Sequence, residues 1–188
     1  AATTTTTAAT SESSEAGASV ICGADNGEFP DLSQFAGAGT GYDAPKVTVS
    51  CDTDTFTVTS NGITSYPFVK KTPAGLKSQN FSWTISTKPA VAAATTSIET
   101  KMSAVAFTVT GLPIYGPLEG PTPTAEAYGD PVYNELLDTC GGHTGYNADY
   151  HNHQVFAIAA CSLEETIVGY ALDGFPIYSN PSDKWKSG

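Results

Sequence analysis

Along the first half of the chain, apolar positions alternate with polar ones, which is the period of a half-buried β-strand. Residues 46–51 run Lys-Val-Thr-Val-Ser-Cys and residues 56–60 run Phe-Thr-Val-Thr-Ser. Each puts valine or phenylalanine on one face and a hydroxyl residue on the other. Asn61-Gly62 follows, the pair that favours a two-residue hairpin turn, and predicts a return strand over 63–68. The same alternation predicts strands over 81–86 and 105–110, with 91–99 either a loop or one further strand. Helical periodicity is weak everywhere except 131–138, where Asp130 can cap a helix and Pro131 can take its first position. Repeated short strands punctuated by Gly and Pro predict a mainly β domain, a β-sandwich or jelly-roll-like barrel with long Gly/Pro-rich loops.

Two departures from this pattern mark the ends of the chain. From Gly111 the loops lengthen, and Gly111-Leu-Pro-Ile-Tyr-Gly-Pro117 is echoed by Gly174-Phe-Pro-Ile-Tyr-Ser179. Two copies are too few for a solenoid but predict two equivalent strand-to-loop corners. Residues 1–19 differ from the body at 20–188, with no aromatic residue, no aliphatic larger than alanine and no Lys or Arg. Such a segment cannot bury enough apolar area to offset the entropy of ordering itself. It is expected to be an extended Thr/Ser-rich tail, with Thr3, Thr4, Thr5, Thr6, Thr7 and Thr10 as O-glycosylation candidates. Threonine is also strand-prone, and the tail spans about 60 Å at ~3.3 Å per extended residue. It is therefore expected to donate a strand to a sheet edge. Head-to-tail donation between copies of the chain does not close on itself and would build a filament or surface layer.

Charge and cysteine usage narrow the setting. Among 188 residues, 8 are Lys or Arg and 19 are Asp or Glu, a net charge of -11. Nucleic-acid binding needs clustered cations, so that class is excluded. No apolar run reaches the roughly 20 residues of a membrane-spanning helix. Only 14% of residues are charged, and hydroxyls supply the remaining polarity. Cys22, Cys51, Cys140 and Cys161 are even in number and lack the C-x-x-C spacing of a zinc or redox motif. Two disulfides are expected; three connectivities are open, and Cys22–Cys51 with Cys140–Cys161 closes the shortest loops. Asn80-Phe81-Ser82 is an N-glycosylation sequon. Together these features describe a secreted or cell-surface glycoprotein.

All three histidines of the chain, His143, His151 and His153, lie in one short stretch. His151 and His153 are two apart, so on a strand both imidazoles point to one face. A Cys140–Cys161 bridge would bring His143 towards them. Converging neutral imidazoles are a donor set for Zn or Cu, with Asp138, Asp149 or Asp173 as a fourth ligand or an outer partner. Calcium is the alternative, because acidic side chains and loop carbonyls suit a hard cation. Familiar catalytic patterns are absent: no G-x-S-x-G elbow, no P-loop and no H-E-x-x-H. Tyr115, Tyr128, Tyr133, Tyr146, Tyr150, Tyr170 and Tyr178 crowd the same half, where they would pack the loops or form a sugar-stacking platform.

Three stretches carry a resemblance to a known family. These are Tyr128-Gly-Asp-Pro-Val-Tyr-Asn-Glu-Leu-Leu-Asp-Thr-Cys-Gly-Gly-His143, then Tyr150-His151-Asn152-His153, then Ile167-Val-Gly-Tyr-Ala-Leu-Asp-Gly-Phe-Pro-Ile-Tyr178. Over roughly 105–178 the chain resembles the YHYH domain family, extracellular proteins named for a Tyr-His-Tyr-His motif. Asn152 stands where that motif has its second tyrosine, while both histidines remain. The resemblance implies fold and location and brings no activity with it. The function expected first is a secreted structural protomer of a glycosylated filament or surface layer, assembled by strand donation; the alternatives are a metal-binding (Zn or Cu) enzyme or scavenging module and a carbohydrate-binding module.

Overall fold

The valine–threonine alternation does form strands. A computed structural model describes residues 29–119, 129–163 and 166–179. Among them β1 (Val47–Cys51), β2 (Thr55–Ser60) and β3 (Phe81–Ser86) make an antiparallel three-stranded sheet in the order β1-β2-β3. A second sheet holds β4 (Ala104–Thr108), β5 (Pro113–Tyr115), β6 (Gly142–Thr144), β7 (Tyr150–Asn152), β8 (Ile167–Ala171) and β9 (Pro176–Tyr178). Its order is β6-β7-β5-β4-β8-β9, antiparallel except where β5 meets β7. The two sheets share one apolar cluster: Phe56, Val58 and Ile85 from the first meet Phe107, Val168 and Tyr170 from the second. The Trp83 ring stacks on that of Phe107 at 4.7 Å. On the opposite face of the first sheet, Thr48 pairs with Thr59 and Thr57 with Thr84 through their hydroxyls, at 2.6 and 2.8 Å. Hydroxyl pairs of this kind let an exposed sheet face do without charge.

Two expected elements take other forms. The first hairpin turns at Asp52, whose backbone N–H donates to the Thr55 carbonyl, and not at Asn61-Gly62. Asn61 instead ties loop to strand: its Oδ1 accepts the Lys46 N–H and its Nδ2 donates to the Ala44 carbonyl. β3 fills the edge of β2 that 63–68 would have needed. The 63–68 segment is irregular and sends Ile63 and Tyr66 into a second buried cluster with Leu112, Tyr150 and the Cys140–Cys161 pair. At 131–138 a turn replaces the predicted helix. Asp130 caps it as expected, accepting the Val132 and Tyr133 N–H groups at 2.8 and 3.0 Å. Glu135 then enters the left-handed region at φ 55, and the turn closes there. Residues 91–98 form an irregular exposed loop.

The sequence echo is a structural repeat. Phe107 pairs with Pro113 and Ala106 with Ile114; at the same offset, Tyr170 pairs with Pro176 and Gly169 with Ile177. Gly111 and Gly174 turn the two corners at φ 79 and 97, with N–H bonds of 2.9 Å to the Thr108 and Ala171 carbonyls. Phe107 faces Tyr170 across the β4–β8 pair, so the β4–β5 and β8–β9 hairpins are related by a local two-fold. Their surroundings differ. β5 carries β7 along its outer edge, whereas β9 ends the sheet among the described residues.

The Cys140–Cys161 bridge forms as expected, with both residues buried. Its loop contains β6 and β7. Closing a loop of this length contributes about 3 kcal/mol through the unfolded chain. Replacing both cysteines by alanine is expected to lower unfolding stability by that amount in a urea titration. The Cys22–Cys51 pairing falls on Cys22, outside the described residues, as do the tail at 1–19 and its candidate threonines. Asn80 lies exposed immediately before β3.

Candidate metal centre

β6 and β7 form a hairpin in which His143 and His151 face each other as a cross-strand pair. Strand alternation divides the Tyr-His-Asn-His run between two sides. Tyr150 and Asn152 point one way, where Tyr150 joins the second core cluster and Asn152 Nδ2 donates to the Cys140 carbonyl at 2.9 Å. His151 and His153 point the other way, towards His143. The asparagine at the third motif position therefore braces the disulfide loop and takes no part in the histidine cluster.

The fourth member of the cluster is Glu119, which sequence reasoning missed. One ligand atom from each of Glu119, His143, His151 and His153 lies within 4.8 Å of all the others. Glu119 Oε2 is 3.1, 3.3 and 3.0 Å from the Nε2 atoms of His143, His151 and His153, and the Nε2 atoms of His143 and His151 are 3.1 Å apart. The three imidazoles are almost wholly buried, while the Glu119 side chain is 31% exposed. Solvent thus reaches the cluster past the carboxylate.

Proton bookkeeping around these atoms points to a cation. His153 Nδ1 lies 2.7 Å from the Gly116 carbonyl, which can only accept, so Nδ1 carries the hydrogen and Nε2 presents its lone pair. His151 Nδ1 has no hydrogen-bond partner; the Asp149 carboxylate faces it at 3.6 Å. That arrangement places the hydrogen on Nδ1 and the lone pair of Nε2 at the centre. Three ring nitrogens and a carboxylate oxygen converge, and one shared proton can bridge only one pair of them. A positive ion satisfies all four at once. Burial pushes the Glu119 carboxyl up, but the imidazoles of His143, His151 and His153 gathered around its Oε2 outweigh it and hold Glu119 below the usual carboxylate range. Burial likewise pushes the His151 imidazole down, and Asp149 with Glu119 raises it by more. The cluster can hold a metal ion.

The other candidates lie elsewhere. Asp138 is engaged as a turn cap: its Oδ1 accepts the Cys140 and Gly142 N–H groups, and its Oδ2 accepts the Tyr150 hydroxyl at 2.8 Å. Tyr150 in turn accepts from the Tyr66 hydroxyl at 3.1 Å. Burial pushes both phenols up, so both stay protonated and able to donate. Asp173 sits exposed in the β8–β9 turn and caps the Phe175 N–H at 3.4 Å. Asp149 is the outer partner of His151. Of the candidate tyrosines, Tyr150 and Tyr170 are core residues, Tyr115 stacks on His151 at 4.0 Å, and Tyr133, Tyr146 and Tyr178 are exposed; Tyr128 lies outside the described residues.

Glu119 had no local signal. It follows β5, and only the parallel β5–β7 pairing, Ile114 beside Asn152, lays the chain after Tyr115 alongside His153. A family model described as YHYH protein matches residues 82–186, more than half of the chain. No curated protein and no solved structure matches it. All four cluster residues and the strands that carry them fall within the matched span, and the chain belongs to the YHYH protein family.

Proposed function

We propose that this protein is a secreted metal-binding module that holds one Zn2+ or Cu2+ ion between His143, His151, His153 and Glu119. The supporting observation is the convergence of three imidazole nitrogens and one carboxylate oxygen with no donor among them sufficient to satisfy the set. Four donors around a tetrahedral ion at ~2.05 Å are separated by roughly 3.3 Å; the contacts of Glu119 with the three imidazoles and of His143 with His151, 3.0 to 3.3 Å, are of that size, and the whole set lies within 4.8 Å. Three nitrogens in four donors favour a borderline metal over calcium, which takes six or more oxygens. Four protein ligands form a closed set, the pattern of a site that retains its ion, so the favoured role is metal sequestration or bracing of the loop half. The net charge of -11 favours cation approach. Export from the reducing cytoplasm is supported by the buried Cys140–Cys161 bridge.

The test is metal analysis of protein purified without chelators, followed by titration with Zn2+ and Cu2+. One equivalent per chain is expected. Less than about a tenth of an equivalent, with no heat of binding for either ion, would overturn the proposal.

A further inference from the structure

The imidazoles of the cluster are not held equally. His153 is locked through Gly116, while His151 owes its orientation to a side-chain assembly built from β5, β7 and the loop joining β6 to β7. Asp149 Oδ2 lies 3.6 Å from His151 Nδ1 and 3.1 Å from the Tyr115 hydroxyl. The Tyr115 ring lies flat on the His151 ring, 4.0 Å away and inclined by 14°. Tyr115 therefore touches both members of the Asp149–His151 pair, covering one face of the imidazole and donating to the carboxylate. The space between them depends on Gly145: a Cβ there would come within 3.1 Å of both Asp149 Oδ1 and His151 Cε1. Asp149 is itself only 8% exposed. A buried carboxylate is costly unless it is compensated. Here the compensating groups are the Tyr115 hydroxyl and the orphan Nδ1 of His151.

We infer that Asp149 is the positioning residue of the metal centre, with Tyr115 as the clamp that holds it against His151. This rests on the metal-binding reading above. At 3.6 Å the contact is longer than a hydrogen bond. An ion on Nε2 would withdraw electron density from the ring and make the Nδ1 hydrogen a stronger donor towards the carboxylate. The carboxylate keeps the hydrogen on Nδ1, aims the Nε2 lone pair and raises the ligand's basicity. Outer partners of this kind typically change metal affinity 10–100-fold when removed. Asp149 does not touch the ion, so its loss weakens the site without deleting a ligand.

The experiment compares Asp149→Asn and Tyr115→Phe with wild type, measuring Zn2+ affinity by chelator competition and the visible spectrum of the Co2+-substituted protein. Asp149→Asn preserves size and is expected to weaken Zn2+ binding about 10–100-fold and shift the Co2+ bands, with the metal-free unfolding midpoint retained. Tyr115→Phe keeps the ring stack and drops only the hydroxyl, so a smaller loss in the same direction is expected. It also serves as the second probe if the Asn variant does not fold. Wild-type affinity and an unchanged Co2+ spectrum in both variants would overturn the positioning role while leaving the metal site standing. Weaker binding with unshifted bands and a lowered metal-free midpoint would reduce Asp149 to a structural residue, which also overturns it. If wild type itself takes up no metal, the function proposed above falls and this inference falls with it.

Discussion

Saturating Zn2+ is expected to raise the unfolding midpoint by on the order of 10 °C, and His151→Ala is expected to abolish the rise. An ion that binds the folded chain alone, present at ~1,000 times its dissociation constant, stabilises by about 4 kcal/mol. For a chain of this size each kcal/mol moves the midpoint by roughly 2–4 °C. His151 is central to the cluster: it faces His143 across the hairpin, approaches Glu119 at 3.3 Å and carries Asp149 behind it. Its replacement leaves three donors and the hole of a buried ring, so the metal-free variant is also expected to lose some stability. The decisive quantity is therefore the difference in midpoint with and without Zn2+, read by scanning fluorimetry. Protons compete for the same lone pairs, and the imidazole of His151 is raised on balance by its two carboxylate neighbours. A raised imidazole takes up its proton at higher pH than a free one, so metal-dependent stability is present above the His151 titration and is lost as pH falls through it. A full Zn2+ response in His151→Ala, or one that grows on acidification, would place the ion somewhere else.

Gly142→Ala is expected to lower stability by on the order of 3 kcal/mol and to weaken metal binding at the same time. A Cβ at 142 would sit 2.5 Å from the Tyr150 Cζ and hydroxyl oxygen and 2.6 Å from the His151 carbonyl oxygen. Tyr150 cannot swing clear. It is wholly buried, and its hydroxyl is held between Tyr66 and Asp138. The clash must therefore be relieved by moving β7 away from β6, which separates His143 from His151. Asp149→Asn weakens the ion alone, whereas Gly142→Ala should shift the urea midpoint and the metal affinity together. A midpoint within about 0.5 kcal/mol of wild type would show that the hairpin has slack the structure does not suggest. The Cys-Gly-Gly-His spacing thus has a steric reason: the histidine follows a residue with no room for a side chain.

Much of the fold is legible in the sequence, and the exceptions are specific. Alternation located β1 to β4 because a half-buried strand must place its apolar residues at every second position. It misled at 63–68, where Ile63, Tyr66 and Phe68 are apolar for a second core cluster and no free sheet edge remained to receive a strand. Asp130 does cap the turn, yet a cap starts a helix without sustaining it, and the turn stops at Glu135. The echo at Gly111 and Gly174 predicted equivalent corners, and their registers do correspond.

At the site, sequence by itself determined the three imidazoles. Spacing on a strand places His151 and His153 on one face, and the Cys140–Cys161 loop carries His143 on the paired strand. Which carboxylate joins them was decided only by tertiary structure. Asp138, near in sequence, and Asp173 serve backbone N–H groups in their own turns, whereas Glu119 arrives from β5 through a parallel pairing. Local sequence sets which face a side chain takes, because that follows from backbone period. It does not set which distant strands become neighbours, because that depends on how the whole core closes.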